Sequence, residues 1–255
     1  MTAKTEKFLD FVGGNTLLTG QMLRNLFRKP LYLDLLVVQI QSVGVRSLPL
    51  VLVVAMSVGM VMALQFGIGL QKFGAKLYIP KLVSISFIRE LGPIFASLMF
   101  AARVGAGITS EIASMVVTQQ IDAIRALGTS PIKKIVIPRV LACVICLPIL
   151  TAFANAIGIF GGLVVGSLDL RLDAGFYWQK VFATVVLADY LSGIGKTFFF
   201  ALFIAIPACY YGLNVERGTQ GVGVATTRAV VTSSIMILVG DYFLTKVFWI
   251  IQSWK

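Results

Sequence analysis

Five long apolar stretches dominate the chain and leave it few ways to fold. They cover residues 47–70, 81–109, 137–165, 193–213 and 228–251. Each reaches the length of about 20 residues that a helix needs to cross the hydrocarbon core of a bilayer. Inside that core no water satisfies backbone N–H and C=O groups, so a spanning segment closes its hydrogen bonds within itself. The expected fold is therefore all-α, a polytopic membrane protein with five transmembrane helices. Composition agrees, because 58% of the residues are hydrophobic and 13% charged, whereas soluble chains carry about a quarter charged residues. With 255 residues, five spans and their connections leave little for a soluble domain. The organisation expected is a set of N-terminal cytoplasmic and interfacial helices over residues 1–46 and a membrane domain over 47–255.

The segment from Phe8 to Arg46 is amphipathic and does not read as spanning. Leu23, Leu26 and Phe27 alternate with Arg24, Arg28 and Lys29, and beyond Pro30 come Leu31, Leu35 and Val38 against Asp34, Gln39 and Gln41. Helices of this kind lie in the interface plane, a cytosolic packing helix being the alternative. Glu6 and Asp10 interrupt the first residues and no small-residue cleavage site follows, so neither a signal nor a transit peptide is expected and the N-terminus is expected to be retained. With the N-terminus inside, 12 basic residues flank the spans on the inner side and 7 on the outer. The positive-inside rule then predicts a cytoplasmic N-terminus and a periplasmic C-terminus. Tyr177, Trp178, Trp249 and Trp254 fall at the outer interface in that arrangement, where amphipathic rings favour the headgroup level.

Several function classes drop out. The net charge of +11 is the excess of 22 basic over 11 acidic residues, and the basic ones are scattered along an apolar chain, a pattern of headgroup anchors and not of a nucleic-acid groove. The absence of His removes imidazole metal ligands, Ser-His triads and histidine proton relays. Cys143-x-x-Cys146 has no second pair and lies, like Cys209, in an apolar run, so all three read as small buried hydrophobes. No catalytic residue, metal or cofactor is expected. The glycine-rich stretch Gly218–Thr227 lacks the Gly-Lys-Ser/Thr ending of a nucleotide loop and reads as a tight connection opening the last helix. Gly158, Gly162 and Gly166 form a four-residue ladder that lets another helix backbone approach.

Charges within spans are costly, of the order of 2.5–3.5 kcal/mol each on insertion scales, and so mark pairs, cavities or pathways. Arg89 and Glu90 sit about three turns into the second span, just before Gly92-Pro93, and Asp241 of the fifth span reaches a similar depth. These three are expected to line one polar-walled cavity, Arg89 pairing with Asp241, with a static register-fixing ion pair as the alternative. Arg103 and Lys196 lie near span ends, where their long stems reach a headgroup or a cavity mouth by snorkelling. Between the second and third spans, Glu111–Gly128 has Ile112, Met115, Val116, Ile124 and Leu127 on one helical stripe and Ser114, Thr118, Asp122 and Arg125 elsewhere. That pattern predicts a helix lying along the membrane, either presenting its polar face to a partner or merely resting on the bilayer.

The runs Arg89-Glu90-Leu91-Gly92-Pro93, Ala102-Arg103-Val104-Gly105, Gln120-Ile121-Asp122-Ala123 with Leu127-Gly128, and Pro138-Arg139-Val140-Leu141-Ala142 resemble the MlaE family of ABC-transporter permeases. Gly221-Val222-Gly223, Ala225-Thr226-Thr227, Ala229-Val230-Val231 and Asp241-Tyr242 continue the resemblance from the first span through the fifth. It implies a homodimeric permease in a bacterial inner membrane that moves phospholipid between inner and outer membranes and maintains outer-membrane asymmetry. It also implies an ATPase subunit (MlaF-like), an MCE-domain lipid-binding protein (MlaD-like) and a STAS-domain protein (MlaB-like). On this resemblance the segment with Glu111, Asp122 and Arg125 is the coupling helix to the ATPase, and Arg89 and Glu90 are the intramembrane charged motif near the lipid cavity. Related permeases handle other lipids or sterols. A proton-driven secondary transporter using Glu90 and Asp241 is a different class of reading, which the lack of an inverted repeat disfavours. A non-transporting scaffold is a third, and it gives the intramembrane charges no use.

Overall fold

The computed structural model of the chain describes residues 3–26, 33–216 and 218–253. Phe27, Arg28, Lys29, Pro30 and Leu31 of the amphipathic segment lie outside the described residues, as do Arg217, Trp254, Lys255 and the side chains of Lys4, Glu6, Lys7, Phe8 and Leu26. Among the described residues the regular structure is helical, and five stretches are long and apolar enough to cross a membrane: Leu33–Gln71, Lys76–Val117, Ile132–Leu168, Leu187–Leu213 and Gly218–Gln252. Each contains one of the apolar runs read from the sequence.

Helix α1 (Ala3–Leu26) precedes α2 (Leu33–Val43) and α3 (Leu48–Gln71), the last two being joined through a 3-10 turn at Val45–Ser47. The second span consists of α4 (Ile79–Ser86), α5 (Gly92–Phe100) and α6 (Ala106–Val117), with π-helical turns at Phe87–Leu91 and Ala101–Gly105 between them. A short α7 (Gln120–Ala126) follows, and a third π turn, Ile132–Val136, opens α8 (Ile137–Leu168). The chain ends in α9 (Ala174–Thr184), α10 (Leu187–Leu213) and α11 (Gly218–Ser253). A π turn inserts one residue into an α-helix and widens it locally, a device found often at functional sites. The three π turns among the described residues carry charge: Arg89 and Glu90 in the first, Arg103 in the second, Lys133 and Lys134 in the third.

The fold divides into two compact units. One draws on the described residues within Met1–Arg46, Ala101–Cys146 and Ala201–Met236; the other on Ser47–Phe100, Leu147–Phe200 and Ile237–Lys255.

In the unit containing α3 and α9, the buried residues Val51, Ala55, Gly59, Ala63 and Gly67 recur every four positions along α3. This stripe lets α3 and α8 meet backbone to backbone, since a Cβ on Gly59 would overlap the Gly158 carbonyl and one on Gly161 would overlap the Met56 carbonyl. The ladder Gly158, Gly162 and Gly166 also receives rings: Phe87 lies over Gly158, and Tyr177 over Gly162 and Gly166. Tyr177 comes from α9, a helix the apolar runs did not reveal, started by the Asp173 carboxylate accepting from the Phe176 amide at 2.7 Å. The expectation of an interfacial Tyr177 is corrected, for the ring is fully buried with Ile88, Ile159 and Val181, and its hydroxyl donates to the Ile159 carbonyl. That burial pushes the phenol pKa well above its ordinary value.

In the other unit, α1 packs against the Ile132–Val136 turn. Phe11 stacks on Tyr211 and meets Tyr210 edge-on, with ring centroids 5.5 and 5.7 Å away, and the Tyr210 hydroxyl donates to the Asp10 carbonyl. Cys143, Cys146 and Cys209 are buried free thiols. Thr109 on α6 donates to its own Gly105 carbonyl at 2.9 Å or to Ala208 of α10 at 3.0 Å, and Gly212 fits beneath Ile112.

Two further expectations change. Glu111–Gly128 is not one helix: α6 stops at Val117 and α7 restarts after Gln119, whose φ of +60° lies in the left-handed region. The break rotates the second half, so Ile121 is buried while Leu127, assigned to the apolar stripe, is 81% exposed. Gly128, with φ +72°, does end α7 as a left-handed glycine stop. The glycine-rich stretch Gly218–Thr227 is already helical and forms the first turns of α11.

Candidate functional site

The site begins with a backbone defect in the second span. In the first π turn the Gly92 amide donates to the Phe87 carbonyl, so it no longer serves Ile88. Pro93, four residues after Arg89, has no N–H to give. The carbonyls of Ile88 and Arg89 therefore both lose their α-helical partners. Helix α10 packs against both carbonyls. Gly193 lies so close to the Ile88 carbonyl that a Cβ would overlap it, and Lys196, one turn on, donates to the Arg89 carbonyl at 3.2 Å.

Lys196 is 1% exposed. Besides the carbonyl, its ammonium donates to Glu90 Oε2 at 2.5 Å, Thr245 Oγ1 at 2.6 Å and Asp241 Oδ1 at 3.2 Å. Three ammonium hydrogens thus serve four acceptors. The Thr245 hydroxyl, accepting from Lys196, donates onward to Glu90 at 3.3 Å. Arg89 lies outside this knot and pairs with Asp189 at the start of α10, Nη1 to Oδ1 3.3 Å. Two cations therefore face three carboxylates. Lys196 is enclosed, whereas the Arg89 and Glu90 side chains are 30% and 33% exposed, which makes them the accessible edge of the cluster.

The expected pairing of Arg89 with Asp241 is corrected, because Asp189 takes the guanidinium and Lys196 takes Asp241. Snorkelling by Lys196 is corrected too: with four oxygens around its nitrogen, the ammonium needs no route to a headgroup. Reversing Arg89 alone (Arg89→Glu) is expected to lower stability by about 1–2 kcal/mol, within the range for partly exposed ion pairs and charged hydrogen bonds. Adding Asp189→Arg should recover most of that in thermal unfolding in detergent, and adding Asp241→Arg should not.

The remaining predicted residues belong to the other unit. Arg103 sits partly buried in the second π turn. Asp122 and Arg125 pair with each other on α7 at 3.1 Å, both well exposed. Glu111 on α6 pairs with Arg139 on α8 at 3.0 Å. No group of three His, Cys, Asp or Glu side chains gathers among the described residues as a metal site would require.

The family model described as Permease MlaE matches residues 36–247. The chain belongs to the MlaE permease family. Among similar proteins, a probable ABC transporter permease protein of Rickettsia conorii is 42% identical over 96% of this chain and 95% of its own length. The intermembrane phospholipid transport system permease protein MlaE of Haemophilus influenzae is 36% identical over 85% of this chain and 83% of its own. A probable ABC transporter permease protein of Synechocystis is also 36% identical, over 89% and 87%.

In this MlaE-family permease two site residues escaped the sequence reading, Asp189 and Thr245. Both carried a signal. Thr245 follows Asp241 by four residues and Lys196 follows Asp189 by seven, spacings that keep each pair on one helix face.

Proposed function

We propose that the chain is the transmembrane permease subunit of an ABC transporter that moves phospholipids between the inner and outer membranes of a bacterial cell and so maintains outer-membrane lipid asymmetry. The observation that carries this reading is the cluster of Lys196, Glu90, Asp241 and Thr245 within apolar spans, with Arg89 and Glu90 at its accessible edge. Charge held at such depth marks a substrate path, and a guanidinium fork suits the phosphate that every phospholipid headgroup carries. The Haemophilus relative, a permease of an intermembrane phospholipid transport system, supports the substrate class.

The permease works as a homodimer in the inner membrane, with its N-terminus cytoplasmic and its C-terminus periplasmic. An MlaF-like ATPase supplies the energy, and an MlaD-like MCE-domain protein and an MlaB-like STAS-domain protein complete the assembly. Helix α7 is the coupling element, and its exposed pair Asp122 and Arg125 meets the ATPase. Arg103 lies toward the headgroup region. Reconstitution with these partners, following labelled phospholipid with and without ATP, tests the function: lipid movement that does not depend on ATP would refute it. Reversing Asp122 or Arg125 is expected to lower ATPase co-purification about tenfold, as loss of about 1.4 kcal/mol of contact does. Full retention by both variants would remove α7 from the contact.

A further inference from the structure

The segment that carries α7 is a loop closed at its base. Glu111 lies on α6 six residues before that helix ends, and Arg139 lies in the first turn of α8. The bond between Arg139 Nη2 and Glu111 Oε2 at 3.0 Å joins the two stems across everything between residues 112 and 138. Arg139 makes a second bond, from Nη1 to the Ile135 carbonyl at 3.1 Å, inside the π turn that opens α8. Its side chain is 11% exposed, and its Nε is buried without a partner among the described residues. Glu111 is 56% exposed. Among the described residues Glu111 is the carboxylate paired with this enclosed guanidinium.

The other flank of α6 is fixed as well. Thr109 bridges to the Ala208 carbonyl of α10, and Gly212 lets Ile112 sit against the α10 backbone. The stem that leads to α7 is thus tied to α8 by charge and to α10 by a hydroxyl and a close approach. The tip is held by packing and not by charge to a neighbouring helix: Ile121 is buried, while Asp122 and Arg125 pair with one another at an exposed site where such pairs contribute little.

We infer that Glu111 and Arg139 are positioning residues for energy transfer, a strut that makes α7 move with the spans and not independently of them. This rests on the reading of α7 as the ATPase contact. It separates Glu111 from that contact, since the carboxylate faces Arg139 and acts through it. Joined bases let a force applied at α7 reorient α6 and α8 together; without the strut the two stems move separately and hydrolysis is spent without lipid movement.

The experiment uses the full reconstituted transporter and reads two quantities, ATP hydrolysed and labelled phospholipid moved. Glu111→Gln is the mild variant, at the exposed end of the pair. The strut predicts that Glu111→Gln keeps ATPase co-purification and ATP hydrolysis near wild type while lipid moved per ATP falls about tenfold, inside the usual range of coupling between distant sites. Glu111→Asp, which keeps the charge, and the swap of Glu111→Arg with Arg139→Glu should each recover part of the ratio. An unchanged ratio in Glu111→Gln overturns the inference, as does hydrolysis and transport falling together in both Glu111→Gln and Glu111→Asp. A wild-type complex that moves no lipid with ATP instead fails the proposed function, so the two failures are distinguishable.

Discussion

Replacing Lys196 by methionine will stop ATP-dependent lipid movement and lower stability by about 3–5 kcal/mol, the usual result of removing one partner from a buried ion pair. The substitution nearly conserves volume, so packing is a minor part of the loss. What changes is that Glu90 and Asp241 are left facing each other without the cation between them, Thr245 loses its donor, and the Arg89 carbonyl is orphaned a second time. Thermal unfolding of the purified permease in detergent or nanodiscs measures the stability part. A triple variant adding Glu90→Gln and Asp241→Asn separates structure from function. Removing all three charges should recover most of the stability, because a neutral cluster has no uncompensated charge to desolvate. If transport returns with it, the cluster is only a register-fixing device and the functional reading of the charges is wrong. Continued loss of transport in a stable triple variant is the expected result.

The second large effect is predicted for Gly59→Val. A side chain at this position has nowhere to go, since its Cβ would overlap the backbone carbonyl of Gly158 and not the movable end of a side chain. Helices α3 and α8 must then separate, and the neighbouring contact of Gly161 with the Met56 carbonyl opens with them. A cost of about 3 kcal/mol or more is expected, at the upper end for overpacked cores. The comparison is Gly107→Ala on α6, where an added Cβ meets nothing within 4 Å. That change is expected to alter stability by less than about 1 kcal/mol, in the stabilising direction, as glycine in a helix interior is less favourable than alanine. Similar unfolding temperatures for Gly59→Val and Gly107→Ala would show that α3 and α8 do not touch through their backbones.

The spans were legible because each is a local signal: a run of apolar residues announces itself without reference to the rest of the chain. Helix α9 was not, since it is short and its role rests on Tyr177 filling the space over Gly162 and Gly166 of another helix. The charged cluster shows the same limit more sharply. Arg89, Glu90 and Asp241 stood out as charges in apolar surroundings, and the structure does bring their helices together. The partners came out differently because Lys196 sits near the end of its own apolar run, where a long stem ordinarily reaches water. Only acceptors supplied by two other spans hold it inside. The break at Gln119 left no mark either. It uses neither glycine nor proline, so an amphipathic period drawn through it misplaced Leu127 and missed Ile121.

The two π turns of the second span set an angular register. Each adds one residue to the helix and turns the residues beyond it by about 100°, the angle that one residue subtends. Deleting a single residue from Phe87–Leu91 would restore a plain α-helix there while swinging one side of the span around its own axis, so that Arg89 and Glu90 no longer faced α10 and α11 together. In this stretch the number of residues is itself a constraint. A one-residue gap there, harmless in a loop, would act as a rotation of the charged face, and chains that share the cluster should share the spacing from Phe87 to Pro93.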